Sequence, residues 1–160
     1  MLMKRAQLIT NKKGQSLVEL MIAMAIFVLM VTAVSWLIID SYLTNRLGQE
    51  KTTATFLAKE GLEATRSIRD NNWLGLTVGS HGLAASGGHW VFQGTQNDVS
   101  NFLRDGVRTI QVGEIDSDTM IVTSTVAWNL TQARPQQVSL VTYLTNWQKE
   151  GEEKKEKKKD

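Results

Sequence analysis

Glu19 is a carboxylate set three positions into an apolar run, Leu17–Ile39, otherwise broken only by Thr32 and Ser35. A glutamate there costs roughly 2.5–3.5 kcal/mol at the centre of a membrane helix, and less near the interface. Its carboxylate can do two kinds of chemistry. Ser16-x-x-Glu19 has the spacing of a capping box, in which serine and glutamate satisfy the free amides of a helix start and contribute about 1 kcal/mol. Alternatively the carboxylate neutralises a cation brought to it in apolar surroundings, where each charge of a pair requires the other. A cap does not account for Lys12, Lys13 and Gly14 just upstream.

Other candidate chemistry is sparse. The sequence has no cysteine, which removes thiol catalysis, thiolate metal sites and disulfides. His81 and His89 lie across a glycine-rich segment without the i, i+4 spacing of a helical metal pair, so both read as loop or surface histidines. Asp116-Ser117-Asp118 alternates oxygens that could bind Ca²⁺, but it lacks the remainder of an EF-hand loop, and an ordinary turn explains it. Nucleophile-elbow and dinucleotide glycine patterns are missing from usable contexts. The chain is therefore read as a non-enzyme without a cofactor, Asp116 and Asp118 remaining a weak calcium candidate.

The element that positions Glu19 is the apolar run itself. About 20 apolar residues cross a bilayer, so Leu17–Ile39 is long enough to span. Three readings compete. An ordinary secretory signal would have a shorter apolar part, although Ala33 and Ser35 imitate a small-x-small cleavage site. A plain signal anchor explains everything except Gly14 and Glu19. In the third reading, K-K-G-Q-S-L-V-E-L resembles the class III leader of the type IV pilin superfamily.

That resemblance implies cleavage by a prepilin peptidase between Gly14 and Gln15, with Lys12 and Lys13 as the basic approach. It implies N-methylation of Gln15 and places Glu19 at the fifth mature position. There the family uses the carboxylate to neutralise the N-terminal ammonium of a neighbouring subunit during filament assembly. The implied partners are the peptidase/methyltransferase, other pilin subunits, an inner-membrane assembly platform and the membrane. Gln15 departs from the family's commonest first mature residue, phenylalanine. The missing disulfide and the missing proline partway along the membrane half also depart, and they lean toward a pseudopilin or a minor pilin. The alternatives are a pseudopilin of a type II secretion or DNA-uptake machine and, from another class, a signal-anchored extracytoplasmic binding domain that never polymerises.

Charge supports targeting rather than nucleic-acid binding. Lys4, Arg5, Lys12 and Lys13 precede Gln15, so their removal takes the formal net charge from +2 to −2. The same cations, set against Asp40 beyond the run, orient the N-terminus inward and the rest outside the cytoplasmic membrane, as a single-pass protein.

Helical periodicity continues past the run. Leu43, Leu47, Ala54, Leu57, Ala58, Leu62, Thr65 and Ile68 make one stripe, and no proline intervenes between Gln15 and Asn72. A helix over Ser16–Asp70 would be about 80 Å long. Asn71 and Asn72 are expected to end it through a left-handed cap. Residues 73–88 read as irregular and glycine-rich. Strands are expected at His89–Gln93, Val107–Val112, Thr119–Leu130 and Gln137–Trp147, with Pro135 in a hairpin loop outside the ladder. Val122, Val126, Trp128 and Leu130 share a face with Ser124, but both faces of these strands are partly apolar, which leaves inside and outside unassigned. The expected fold is α+β: a long N-terminal helix, membrane-spanning in its first half, packed against a small antiparallel sheet head. The segments are a basic leader (1–14), the transmembrane and assembly half of the helix (15–39), its amphipathic half (40–72), the β-rich head (73–148) and a charged, disordered tail (149–160).

Overall fold

A computed structural model describes the backbone of residues 12–147 and the side chains of residues 17–147. Most of the leader and the tail at 149–160 lie outside the described residues. The chain divides into two compact units, Met1–Asn45 and Arg46–Asp160. One helix, α1 (Lys12–Asn71), runs through the boundary between them.

In the first unit α1 is apolar around its whole circumference, and its large hydrophobic side chains from Leu17 to Ile39 are exposed. The two hydroxyls in this stretch are bonded within the helix. Thr32 Oγ1 donates toward the Val28 and Leu29 carbonyls at 3.1 and 2.9 Å, and Ser35 Oγ donates to the Val31 carbonyl at 2.8 Å. A helix that satisfies its own polar groups is the form a bilayer accepts.

The second unit is an α+β head. A 3₁₀ turn (Trp73–Gly75) follows α1. After it come β1 (Gly79–His81), β2 (Leu83–Ser86), β3 (His89–Phe92), β4 (Asn97–Asp98), β5 (Val107–Asp116), β6 (Thr119–Thr131) and β7 (Arg134–Thr145). All pairings are antiparallel. The main sheet runs β1-β5-β6-β7 with β4 beside β5, and β2 with β3 forms a separate hairpin. Between β4 and β5, the Asp98 carboxylate accepts the Ser100 amide at 2.7 Å, and this bond holds Asp98 below the usual carboxylate range.

Alternation decides which face of the sheet is inside. Ile110 and Val112 of β5, Val122, Ser124, Val126, Trp128 and Leu130 of β6, and Leu144 of β7 are buried. They meet the stripe on α1 formed by Ala54, Leu57, Ala58, Leu62, Ala64, Thr65 and Ile68. Two apolar clusters result. One joins Leu62, Ile68, Ile110, Val122 and Leu144 to the loop residue Leu76, and the other joins Ala54, Leu57 and Ala58 to Val99, Leu103 and Trp128.

Several expectations are corrected. α1 does end at Asn71, but Asn72 is extended (φ −159°, ψ 112°) and its side chain accepts the Leu74 amide at 3.0 Å, capping the 3₁₀ turn. No left-handed asparagine is involved. Pro135 lies inside β7, opposite Asn129, and the turn is only Gln132-Ala133. β7 tolerates a proline because it is an edge strand, where a missing N–H breaks no second ladder. Residues 73–88 are ordered into a 3₁₀ turn and two short strands, which their glycines concealed.

Candidate functional site

The candidate membrane and assembly segment is the first half of α1. Leu17–Asn71 is the one helix among the described residues long and apolar enough to cross a membrane. Its most apolar window has a mean hydropathy of 2.7, and none of that window is buried within the protein. Trp36 and Tyr42, 75% and 70% exposed, flank the C-terminal end of the run, and amphipathic rings of this kind settle at a membrane–water boundary.

Glu19 sits in this segment as an exposed carboxylate on an apolar cylinder. α1 begins at Lys12, so Ser16 lies inside the helix rather than at its N-cap. Lys12, Lys13, Gly14 and Gln15 all belong to the first turns of α1 by their backbone; their side chains lie outside the described residues.

Residues 9–35 match the family model described as the prokaryotic N-terminal methylation motif. The chain carries the class III leader of the type IV pilin-like proteins. The matched residues include Gly14, Gln15 and Glu19. The match ends inside the apolar run, so the pilin-like assignment rests on the leader, together with a long N-terminal helix packed on an antiparallel sheet. No curated protein and no solved structure matches the chain.

The head holds this pilin-like helix with a polar seam that sequence reasoning missed. Arg108 is 3% exposed and lies between the two apolar clusters. Its guanidinium donates to the Leu57 carbonyl at 3.0 Å, to Glu60 Oε2 at 3.1 Å and to Asn97 Oδ1 at 3.2 Å. These bonds tie α1 to β5 and to β4. The available signal was parity: Arg108 shares its strand face with Ile110 and Val112, so an inward β5 required a buried arginine with partners. Nearer the membrane side of the sequence, Trp128 Nε1 donates to Glu50 Oε2 at 2.8 Å, and Arg46 Nε donates to Glu50 Oε1 at the same distance.

The remaining sequence candidates lie in the head. Asp116 Oδ1 accepts the Asp118 amide at 2.9 Å across the β5–β6 turn, an ordinary side-chain-stabilised turn. His81 stacks on Phe92 with ring centroids 4.3 Å apart, and its Nε2 lies 2.7 Å from the Thr77 carbonyl oxygen; His89 is exposed. Among the described residues no group of three or more histidines or carboxylates is placed to hold a metal ion.

Proposed function

We propose that the chain is a structural subunit, a pilin or minor pilin, of a type IV pilus-like filament. It enters the cytoplasmic membrane as a prepilin with its N-terminus inside and its head outside. A prepilin peptidase cuts after Gly14, Gln15 is N-methylated, and the apolar half of α1 carries the subunit into the filament through an assembly platform. The observation that carries this reading is the placement of Glu19, the one charged residue in the run Leu17–Ile39, inside the matched methylation motif.

The physical logic is one of paired charges. Cleavage after Gly14 creates an ammonium at Gln15, and packing apolar helices together would bury it. A carboxylate at position 19 of a neighbouring subunit supplies the countercharge, and removing either member strands the other.

A pseudopilin of a secretion or DNA-uptake machine is the second reading. It is favoured by the cysteine-free sequence and by the proline-free run through α1, since neither a closing disulfide nor a helix-loosening proline is present. Shearing fibres from the native cells tests the proposal. The chain should appear in the sheared polymer, whereas its retention wholly in the membrane fraction as a monomer would establish a signal-anchored domain.

A further inference from the structure

The two ends of the head differ in charge and in shape. β6 runs from Thr119 to Thr131, about 40 Å. The β5–β6 turn at its start lies toward the end of α1, since Val122 and Leu144 pack with Ile68. The β6–β7 turn lies at the other end, where Trp128 packs with Ala54 and bonds Glu50.

The β5–β6 end is acidic. Glu114, Asp116 and Asp118 cluster there, and no lysine or arginine occurs between Arg108 and Arg134. Arg66 and Arg69, near the end of α1, are already paired with Glu63 and Asp70. The last carbonyls of α1 add negative potential at the same end. The turn also presents an apolar side chain, Ile115, which is 53% exposed beside Asp116.

The opposite end has the complementary character. Arg46, Lys51, Arg104 and Arg134 stand there with Glu50, Asp98 and Asp105, and all three carboxylates are engaged within the head. Glu50 accepts from Trp128 and Arg46, and Asp98 accepts the Ser100 amide. Asp105 accepts from Asn129 and has Arg104 3.8 Å away, a loose and exposed pair. Arg134 is exposed and forms no ion pair among the described residues. Beside it the surface opens into a depression of about 430 Å³, with apolar walls at Val107, Ala127 and Pro135.

We propose that this depression receives the β5–β6 turn of a second copy of the chain. Ile115 enters against Val107, Ala127 and Pro135, while Glu114 and Asp116 meet Arg134 and Arg104. The occupant follows from the placement of the two surfaces. Turn and depression sit at opposite ends of one head, so joined copies point the same way. Each contact leaves a free turn at one end and a free depression at the other, and a head-to-tail contact of this kind propagates as an open chain. A two-fold contact between like ends would set Glu114, Asp116 and Asp118 against their own copies. The proposal deepens the filament reading and rests on it, because successive heads of a filament point the same way.

The cysteine-free sequence allows a direct test. Ser117→Cys on the turn and Gln137→Cys in the depression, combined in one full-length chain, are treated in the native cells with a short, membrane-permeant bis-maleimide. The double variant should give a ladder of dimers, trimers and higher multiples, at least tenfold above either single variant. Glu114→Arg with Asp116→Arg should weaken the ladder at least fivefold, and adding Arg134→Asp should restore most of it. Both cysteine sites are exposed, so the ladder remains readable even if a charge-reversed variant fails to fold. No ladder in the double variant overturns the proposal. So does a dimer from either single variant, which would show like ends meeting, or a ladder indifferent to charge reversal in folded protein. Shearing the same cells reads the filament separately. Sheared protein without a ladder defeats the head contact alone, whereas a chain never found in sheared fibres defeats the filament reading.

Discussion

Gly61 and Ser124 meet across the helix–sheet interface with no room for a methyl group between them. A β-carbon at position 61 would lie 2.6 Å from Ser124 Oγ and 2.9 Å from Ile110 Cδ1. The glycine lets the α1 backbone rest directly on β6, and Ser124 is the residue it rests on. Ser124 Oγ is buried without a hydrogen-bond partner, so it is kept small rather than kept polar.

Gly61→Ala should therefore destabilise the head, although alanine gains about 1 kcal/mol in an unobstructed helix. Overpacking costs about 1–3 kcal/mol and outweighs that gain. The melting temperature of the full-length protein in detergent should fall, and Ser124→Gly added to Gly61→Ala should restore most of it. A higher melting temperature for Gly61→Ala alone would show that the interface is not closed at this point.

Ser124→Ala should be neutral or stabilising. The substitution removes an unpartnered buried hydroxyl, whose burial costs about 1–3 kcal/mol, and leaves a side chain of nearly the same size. Urea unfolding should give an equal or higher midpoint. A clear loss would mean that the hydroxyl has a partner, such as a bound water.

Arg108→Met should cost about 2–4 kcal/mol, because it releases the Leu57 carbonyl, Glu60 and Asn97 together. Arg108→Lys should recover only part of the loss, since a single ammonium cannot reproduce the guanidinium fork. Full stability in the lysine variant, measured by thermal unfolding, would reduce Arg108 to a point charge.

Trp128→Phe and Glu50→Gln interrupt the same contact, the 2.8 Å indole–carboxylate bond. Each should cost about 1–2 kcal/mol, and the double variant should cost clearly less than the sum. Additive losses in a double-mutant cycle would show that the two residues stabilise the head separately.

How far the sequence carried the fold depends on the type of signal. The α1 stripe was legible as a periodic pattern with a buried consequence, from Ala54 to Ile68, and β6 was legible as an alternation grouping Val122 to Leu130 on one face, although the sequence left open which face is inward. The inward face of β7 was not, because Val141 and Tyr143 face outward and are as apolar as Val138 and Leu140 opposite them. β1, β2 and β4 escaped because each is four residues or fewer, too short for an alternation to show, and β1 is held by a partner distant in sequence, as Gly79 is by Val112. The role of Gly61 is invisible in the sequence, since only the opposing strand reveals the close approach. Within the candidate site, Lys12, Lys13, Gly14, Gln15 and Glu19 were legible as a local motif. Arg108 and the Glu50–Trp128 bond were not, because their meaning lies in pairing across the tertiary fold.

Glu19→Gln separates the assembly role from a helix cap. Glutamine also fits a capping box, so a cap would lose little. If Glu19 neutralises a neighbour's ammonium, the variant breaks a buried pair at roughly 3–5 kcal/mol. Membrane insertion and cleavage should persist while its share of sheared filaments falls sharply. Normal incorporation would favour the cap.

The central claim, that this chain is a processed pilin-like subunit, is tested most directly by intact-mass and N-terminal peptide mass spectrometry of the protein from its native host. The expected mature chain begins at Gln15, carries one N-terminal methyl group and retains Leu17–Ile39. A mature chain beginning near Trp36 would show an ordinary secretory signal, and an uncut chain beginning at Met1 would show a plain anchor; either result contradicts the account.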